Sequence, residues 1–170
     1  MPFDIYHASA PVFVTALANM KSWLDQPAAV EAEGALFEAR LVDDMKPLPA
    51  QYQFASDSAK NAIARLAGID PPAMPDTEAT FAELRERCDK TIAFIESVGP
   101  QALEGSATRE VVMKFPNGTG YRFSGEDYLT RFALPNFYFH VTMAYAIFRA
   151  RGVPLGKPDF LRHLGLPVEL

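Results

Sequence analysis

The sequence predicts an all-α protein, an antiparallel four-helix bundle with a small β-hairpin inserted before the last helix. Three observations predict it. Four long segments carry apolar side chains at steps of three and four residues, the period of a helix with one buried face. Proline and glycine fall at the joints between these segments rather than within most of them. One Asn-Gly pair, Asn117-Gly118, sits between two short runs of strand-like residues, a strong hairpin signal. The chain is 49% apolar and 22% charged, which excludes disorder and leaves enough core for one domain over residues 1–170.

The first helix runs from Asp4, a capping residue, to about Leu24. Ile5, Val12, Ala16 and Trp23 form one stripe, and Phe13, Leu17, Met20 and Leu24 form a second beside it. So wide an apolar arc needs cover from two sides, by two bundle neighbours or by another subunit. Pro11 predicts a kink or a late start. Glu31 to Met45 reads as a short helix or an irregular connection ending before Pro47.

The second long helix spans about Leu48 to Ala67, with Pro49 in its first turn and Gly68 at its stop. Its stripe is Leu48, Tyr52, Ala55, Ala59, Ala62, Ile63 and Leu66. A proline-rich connector, Asp70 to Pro75, leads to the third helix, which the spacing starts near Asp76 or Thr77 and ends near Val98. Phe81, Leu84, Cys88, Thr91, Ile92 and Ile95 make its apolar face, and Cys88 there reads as a small buried hydrophobe. Glu83 and Glu86 alternate with Arg85 and Arg87, which reads as a solvated, salt-bridged face.

Glu110 to Phe115 and Gly120 to Phe123 are the two hairpin strands, and two strands alone must lean on the helices. Ser124 then caps a helix to about Ala133, with Asp127 as a capping-box variant. Leu134-Pro135 restarts a last helix that ends before Gly152. The tail from Val153 holds one short turn at Asp159 to His163.

Several functions are excluded or disfavoured by composition and motif. Sixteen Lys and Arg against twenty-one Asp and Glu, with no basic run, argue against nucleic acid or an anionic membrane as partner. No apolar run approaches the roughly 18 residues of a membrane span, and no leader pattern opens the chain, so a cytoplasmic protein is expected. Gly118-Thr119-Gly120 lacks the strand-then-helix setting of a phosphate loop. There is no Gly-x-Ser-x-Gly elbow and no His-Glu-x-x-His pair, and one cysteine cannot build a thiolate metal site. Three histidines are the minimum for a three-histidine metal centre, but His7, His140 and His163 lie on dissimilar faces. His7 is expected exposed beside Lys21 and Asp25.

The last helix holds the clearest chemical signal. From Asn136 to Phe148 it is apolar nearly all round, which marks it as the most buried helix. Asn136 and His140 interrupt that face one turn apart, and an unpartnered buried polar group costs ~1–3 kcal/mol. They either meet a ligand, ion or water, or His140 is a core histidine bonded to Asn136, a tyrosine or a carbonyl. Gln51, near the start of the second helix, is the expected counterpart, whereas Asp57 should point to solvent or a surface ion pair.

A family resemblance runs through nearly the whole chain. It is carried by Leu36 to Leu41 with Asp44-Met45, Gln51 with Gln53, Asp57 with Ala59-Lys60, and Ala64 to Gly68. Asp76 to Glu78, Phe81 to Leu84, Leu134 to His140 with Ala144-Tyr145, and Gly152 to Phe160 complete it. These motifs resemble a bacterial family of unassigned activity grouped with the DinB-like proteins. The resemblance implies a DinB-like bundle, often dimeric. Better-known relatives hold a divalent metal with one histidine from the second helix and a His-x-x-x-His pair from the last, and include thiol-dependent transferases and isomerases. This sequence departs at those places. Asn136 precedes His140 by a turn, Ala144 follows it by a turn, and the second helix has no histidine. An amide is a poor ligand for such metals.

Three functional readings follow. The first is a small-molecule site at the degenerate metal position, with His140 as catalytic acid or base and Gln51, Tyr52, Asn136 and Tyr138 as substrate-binding residues; Tyr145 also lies near. The second is a non-catalytic homodimeric module in which the polar trio is a buried hydrogen-bond network. The third is a metal-dependent transferase or hydrolase, which requires His7 or His163 to fold back onto His140. The sequence assigns no metal ligands and names no cofactor. The hairpin is expected to cover the open end of the bundle.

Overall fold

The computed structural model describes residues 4–169. Its long helices are α1 (Ile5–Leu24), α4 (Leu48–Ala67), α5 (Phe81–Ser97) and α7 (Leu134–Ala150). Short helices α2 (Pro27–Glu31) and α3 (Glu33–Phe37) fill the first connection, α6 (Gly125–Tyr128) follows the hairpin, and α8 (Lys157–Phe160) lies in the tail. The hairpin pairs β1 (Glu110–Lys114) with β2 (Gly120–Ser124). Helix α4 is the centre of the bundle, packed on α5 along one side and on α7 along the other, and α1 closes the ring against α5. The expected fold is therefore the one observed. Among the described residues no helix is long and apolar enough to cross a membrane.

The wide arc of α1 is covered from within the chain. Phe13, Leu17, Met20, Trp23 and Leu24 are fully buried. The tail supplies part of the cover: Phe160 stacks on Trp23 at 5.7 Å, the Trp23 indole N–H donates to the Asp159 carbonyl at 3.3 Å, and Asn19 donates to the Phe160 carbonyl at 2.8 Å. Asp4 accepts from the His7 amide at 2.9 Å, so the helix starts where its cap predicts. It then runs unbroken through Pro11, whose missing N–H removes one rung of the ladder.

Two boundaries differ from expectation. Helix α5 starts at Phe81 rather than Asp76 or Thr77, because Thr80 and Glu83 form a reciprocal capping box. The last two helical segments do not restart at Leu134-Pro135. They are joined through a π-helical stretch, Leu129–Ala133, in which the Leu134 N–H reaches back five residues to the Leu129 carbonyl. Pro135 cannot donate to a carbonyl one turn back, and the widened turn absorbs the missing rung.

The hairpin turns on Phe115–Thr119, closed by bonds from the Gly118 amide to the Phe115 carbonyl and from the Phe115 amide to the Thr119 carbonyl. Gly118 has φ +82°, a conformation that glycine adopts without strain. Val111 and Met113 on one face of β1 are buried against the helices, which is how a two-stranded sheet persists here.

Candidate functional site

Two helical stripes face each other across the α4–α7 seam. On α4 the spacing brings Phe54, Asp57, Ser58, Asn61 and Arg65 to one side. From the π turn and α7 come Phe132, Ala133, Asn136 and His140, with Tyr128 and the β1 residue Met113 closing one end. Together they line a cavity of about 230 Å³. π-helical turns are frequent at functional sites, and this one supplies part of the wall.

His140 is held from behind. Gln51, almost fully buried, donates its amide N–H to the Lys46 carbonyl at 3.0 Å, which turns its Oε1 toward His140. That oxygen can only accept, so the His140 Nδ1 carries the proton of the 2.9 Å bond between them. The tautomer leaves Nε2 as a lone-pair nitrogen, with no hydrogen-bond partner among the described residues. Phe54 lies against the ring at 5.0 Å and Phe139 at 5.2 Å. Burial lowers the His140 pKa below its ordinary 6.5, so the imidazole is neutral at neutral pH.

Asn136 spans the seam, donating from Nδ2 to Ser58 Oγ at 2.6 Å. At the far end Arg65 donates from Nη1 to the Tyr128 hydroxyl at 2.9 Å, with its guanidinium 5.7 Å from the Tyr128 ring centre. Burial raises the Tyr128 pKa, so the phenol keeps its proton. Asp57, the one carboxylate on the wall, is held at Oδ1 by Lys60 at 2.9 Å and by Arg87 at 3.0 Å.

The expected site residues divide. His140 and Asn136 line the cavity and each takes a partner on α4 rather than bonding to each other. Gln51 stands behind the wall and positions the imidazole. Tyr52 is not at the cavity: it is fully buried in the core, its hydroxyl donates to the Met20 carbonyl at 2.8 Å, and burial pushes its pKa well above 10.0. Tyr138 faces the other way on α7, half-exposed, along a groove with Val12, Asn19 and Phe160. Tyr145 packs on Trp23 at 5.7 Å. Sequence reasoning missed Ser58, Asn61, Arg65 and Tyr128. The first three were visible as polar residues at steps of three and four beside the apolar stripe of α4.

Two charged residues also stand differently from expectation. Arg87 is buried rather than on a solvated face, bonded to Glu78 at 2.8 Å, Asp57 at 3.0 Å, Asp76 at 3.0 Å and the Pro75 carbonyl at 3.2 Å. Asp57 belongs to that cluster and not to an open surface pair. Cys88 is buried as expected, and burial pushes its thiol up to about 12.

The histidines lie apart. His7 is bonded to its cap partner Asp4 at 2.8 Å, while Lys21 and Asp25 pair with Asp89 and Arg85 instead. His163 meets Asn19 at 3.3 Å on the exposed tail. Among the described residues no group of three or more His, Cys, Asp or Glu side chains is placed to hold a metal ion. The groups around His140 do not fit one either: Gln51 is spent on Lys46 and His140, Asn136 offers only a neutral amide oxygen, a poor ligand for such metals, and Ala144 offers nothing. A larger cavity of about 460 Å³ lies between the start of α1 and α6, but its only charged lining residues are the carboxylates Asp4, Glu104 and Glu126. It brings no histidine and no cation together.

Comparison with known proteins agrees with this architecture. The family model described as Domain of unknown function (DUF1993) matches residues 5–161. Among solved structures, the crystal structure of a DinB family member protein from Shewanella denitrificans is similar at a TM-score of 0.85 and 32% identity. That match covers 98% of this chain and 95% of that one. No curated protein matches the chain.

Proposed function

The chain belongs to the DinB-like family described as DUF1993, and on that premise we propose that the α4–α7 cavity is a small-molecule site. In this reading His140 is the hydrogen-bond acceptor and, where the ligand reacts, the base. The observation that supports it is the Gln51–His140 pair. A neutral amide fixes the tautomer and leaves an unpartnered lone pair on a residue of the cavity wall. A core histidine would have both ring nitrogens satisfied.

As a base, Nε2 takes a proton from an O–H or N–H of the ligand. The resulting imidazolium keeps its Nδ1–H on Gln51. The amide helps that cation less than a carboxylate would, so the ring stays a weak base suited to an already acidic proton. The volume, about 230 Å³, is below the roughly 300–1,000 Å³ of drug-sized pockets, which suits a metabolite-sized molecule. The test is a thermal-shift screen of tag-free protein against small metabolites and low-molecular-weight thiols, with His140→Ala in parallel. A ligand at a hundred times its dissociation constant stabilises the fold by ~2.7 kcal/mol, which such a screen detects. Shifts that vanish in His140→Ala are expected. Shifts that persist undiminished in the variant would overturn the assignment.

A second reading, a non-catalytic homodimer, draws on one observation. Tyr138 and Phe139 stand 39% and 50% exposed on α7. Light scattering that finds only monomer at micromolar concentration removes it.

A further inference from the structure

We propose that the ligand of this cavity is a small organic acid whose carboxylate is received by Arg65 and Tyr128 at the end closed by Met113. The proposal rests on the small-molecule reading above and adds the chemical class.

Arg65 forms no ion pair with any carboxylate among the described residues. Its one hydrogen bond goes from Nη1 to a neutral phenol, the Tyr128 hydroxyl. Its Nε and Nη2 groups have no partner among the described residues. Those two N–H groups form the planar edge that receives a carboxylate with two parallel bonds. The Tyr128 hydroxyl adds a further donor, because it accepts from Arg65 and its own proton meets no acceptor there. Asn61, one turn earlier on α4, lines the same end with an amide that also has no partner among the described residues.

The opposing charge on the wall is Asp57. Its Oδ1 is held by the buried cations Lys60 and Arg87, and it sits two turns from Arg65, roughly 12 Å along the helix. A carboxylate at the Arg65 end therefore meets donors first and the neutralised acid last.

The pairs Gln51–His140, Ser58–Asn136 and Arg65–Tyr128 show that α4 and α7 with its leading turn run antiparallel. Helical side chains lean toward the N-terminus of their own helix. Arg65 thus leans toward Asn61 and Ser58, and His140 leans toward Asn136, which is bonded to Ser58. The acid-binding end and the Nε2 lone pair converge on the middle of one cavity. The ligand that fits carries a carboxylate and, at its other end, a hydroxyl or N–H donor for Nε2.

Arg65 also stands in the last turn of α4, where any cation is favoured by the helix dipole. The experiment separates that role from ligand binding. Calorimetric titrations at millimolar concentration use lactate, 3-hydroxybutyrate and 4-hydroxybutyrate, and as neutral counterparts lactamide, 3-hydroxybutyramide and 4-hydroxybutyramide. They are run on the wild type, Arg65→Gln, Arg65→Lys and His140→Ala. Expected are binding of at least one acid, affinity for it at least about tenfold above its amide, and a loss of about tenfold or more in Arg65→Gln that Lys does not restore. Binding of the acid by Arg65→Lys with wild-type affinity overturns the proposal, since only helix-end charge would then matter. So does equal affinity for acid and amide; if that binding still disappears in His140→Ala, the small-molecule site stands and only its ligand class falls. Failure of all three acids to bind the wild type overturns it as well.

Discussion

Two arginines flank α4 and make opposite use of the same group. Arg87 reaches it from α5 and spends both Nη groups on Asp57, Asp76, Glu78 and a backbone carbonyl, with only its buried Nε left without a partner. Arg65, on α4 itself, is half-buried and spends one bond on a phenol. Taking a guanidinium out of water is compensated only by close opposite charge and well-formed hydrogen bonds. Arg87 meets that condition inside the protein and acts as a clamp, tying residues 75–78 to α4 and α5. Arg65 leaves the condition open, and a cation left open beside a cavity is a place for something else to bind. On the proposed reading, what separates the two arginines is how many partners the fold already provides.

Removing the clamp carries the largest expected effect. Arg87→Ala leaves Asp57 and Glu78 without their common cation and is expected to lower unfolding stability by about 3–5 kcal/mol in urea titration. A loss well under 1 kcal/mol would show that the cluster is not a clamp. The same cluster predicts acid sensitivity. Burial pushes the Glu78 carboxyl up, but hydrogen bonds from Arg87 and Gln53 outweigh it and hold the group below its ordinary 4.5. Its stabilising effect is therefore complete above 4.5 and is lost as pH falls through the lower folded value.

On the open side the effects shrink. Gln51→Leu removes the partner of Nδ1 and leaves the Lys46 carbonyl without its donor, an expected loss of about 1–3 kcal/mol in the same titration. His140 should add a pH slope of its own. Its folded pKa lies below 6.5, so the unfolded chain binds the extra proton first and stability falls as pH drops below 6.5 through the folded value. Unfolding of His140→Ala followed across that range should show a shallower fall; an unchanged slope would mean that the ring is solvated like a free histidine. Smallest is Arg65→Gln, expected within about 0.5 kcal/mol of the wild type. Destabilisation equal to that of Arg87→Ala would erase the distinction between the two arginines.

Local signals in the sequence decide the structure where they stand alone. Pro49 and Gly68 bracket α4 at its observed ends, and Asn117-Gly118 marks the hairpin. Where two local signals compete the sequence is ambiguous: Asp76-Thr77 and Thr80-x-x-Glu83 both look like helix starts, and the second has the reciprocal cap. The Arg87 cluster was hidden for another reason. Its partners belong to a connector whose path back over α4 is set by tertiary packing. At the site, Asn136 and His140 were legible as polar breaks in an apolar helix. Arg65 and Tyr128 were not, because they are 63 positions apart and meet only once the segment after the hairpin returns to the end of α4. Tyr52 is one residue from Gln51, about 100° around the helix, and that rotation carries it into the core.

The stacking of Phe160 on Trp23 also provides an optical probe. Trp23 is the chain's single tryptophan, and its indole is sealed by α8 and by the Asp159 carbonyl. Its fluorescence therefore reports the docking of α8, whereas far-ultraviolet circular dichroism reports the bundle as a whole. When both signals fall together, the tail and the bundle melt as one cooperative unit; when emission shifts first, the tail is a separate, weaker foldon.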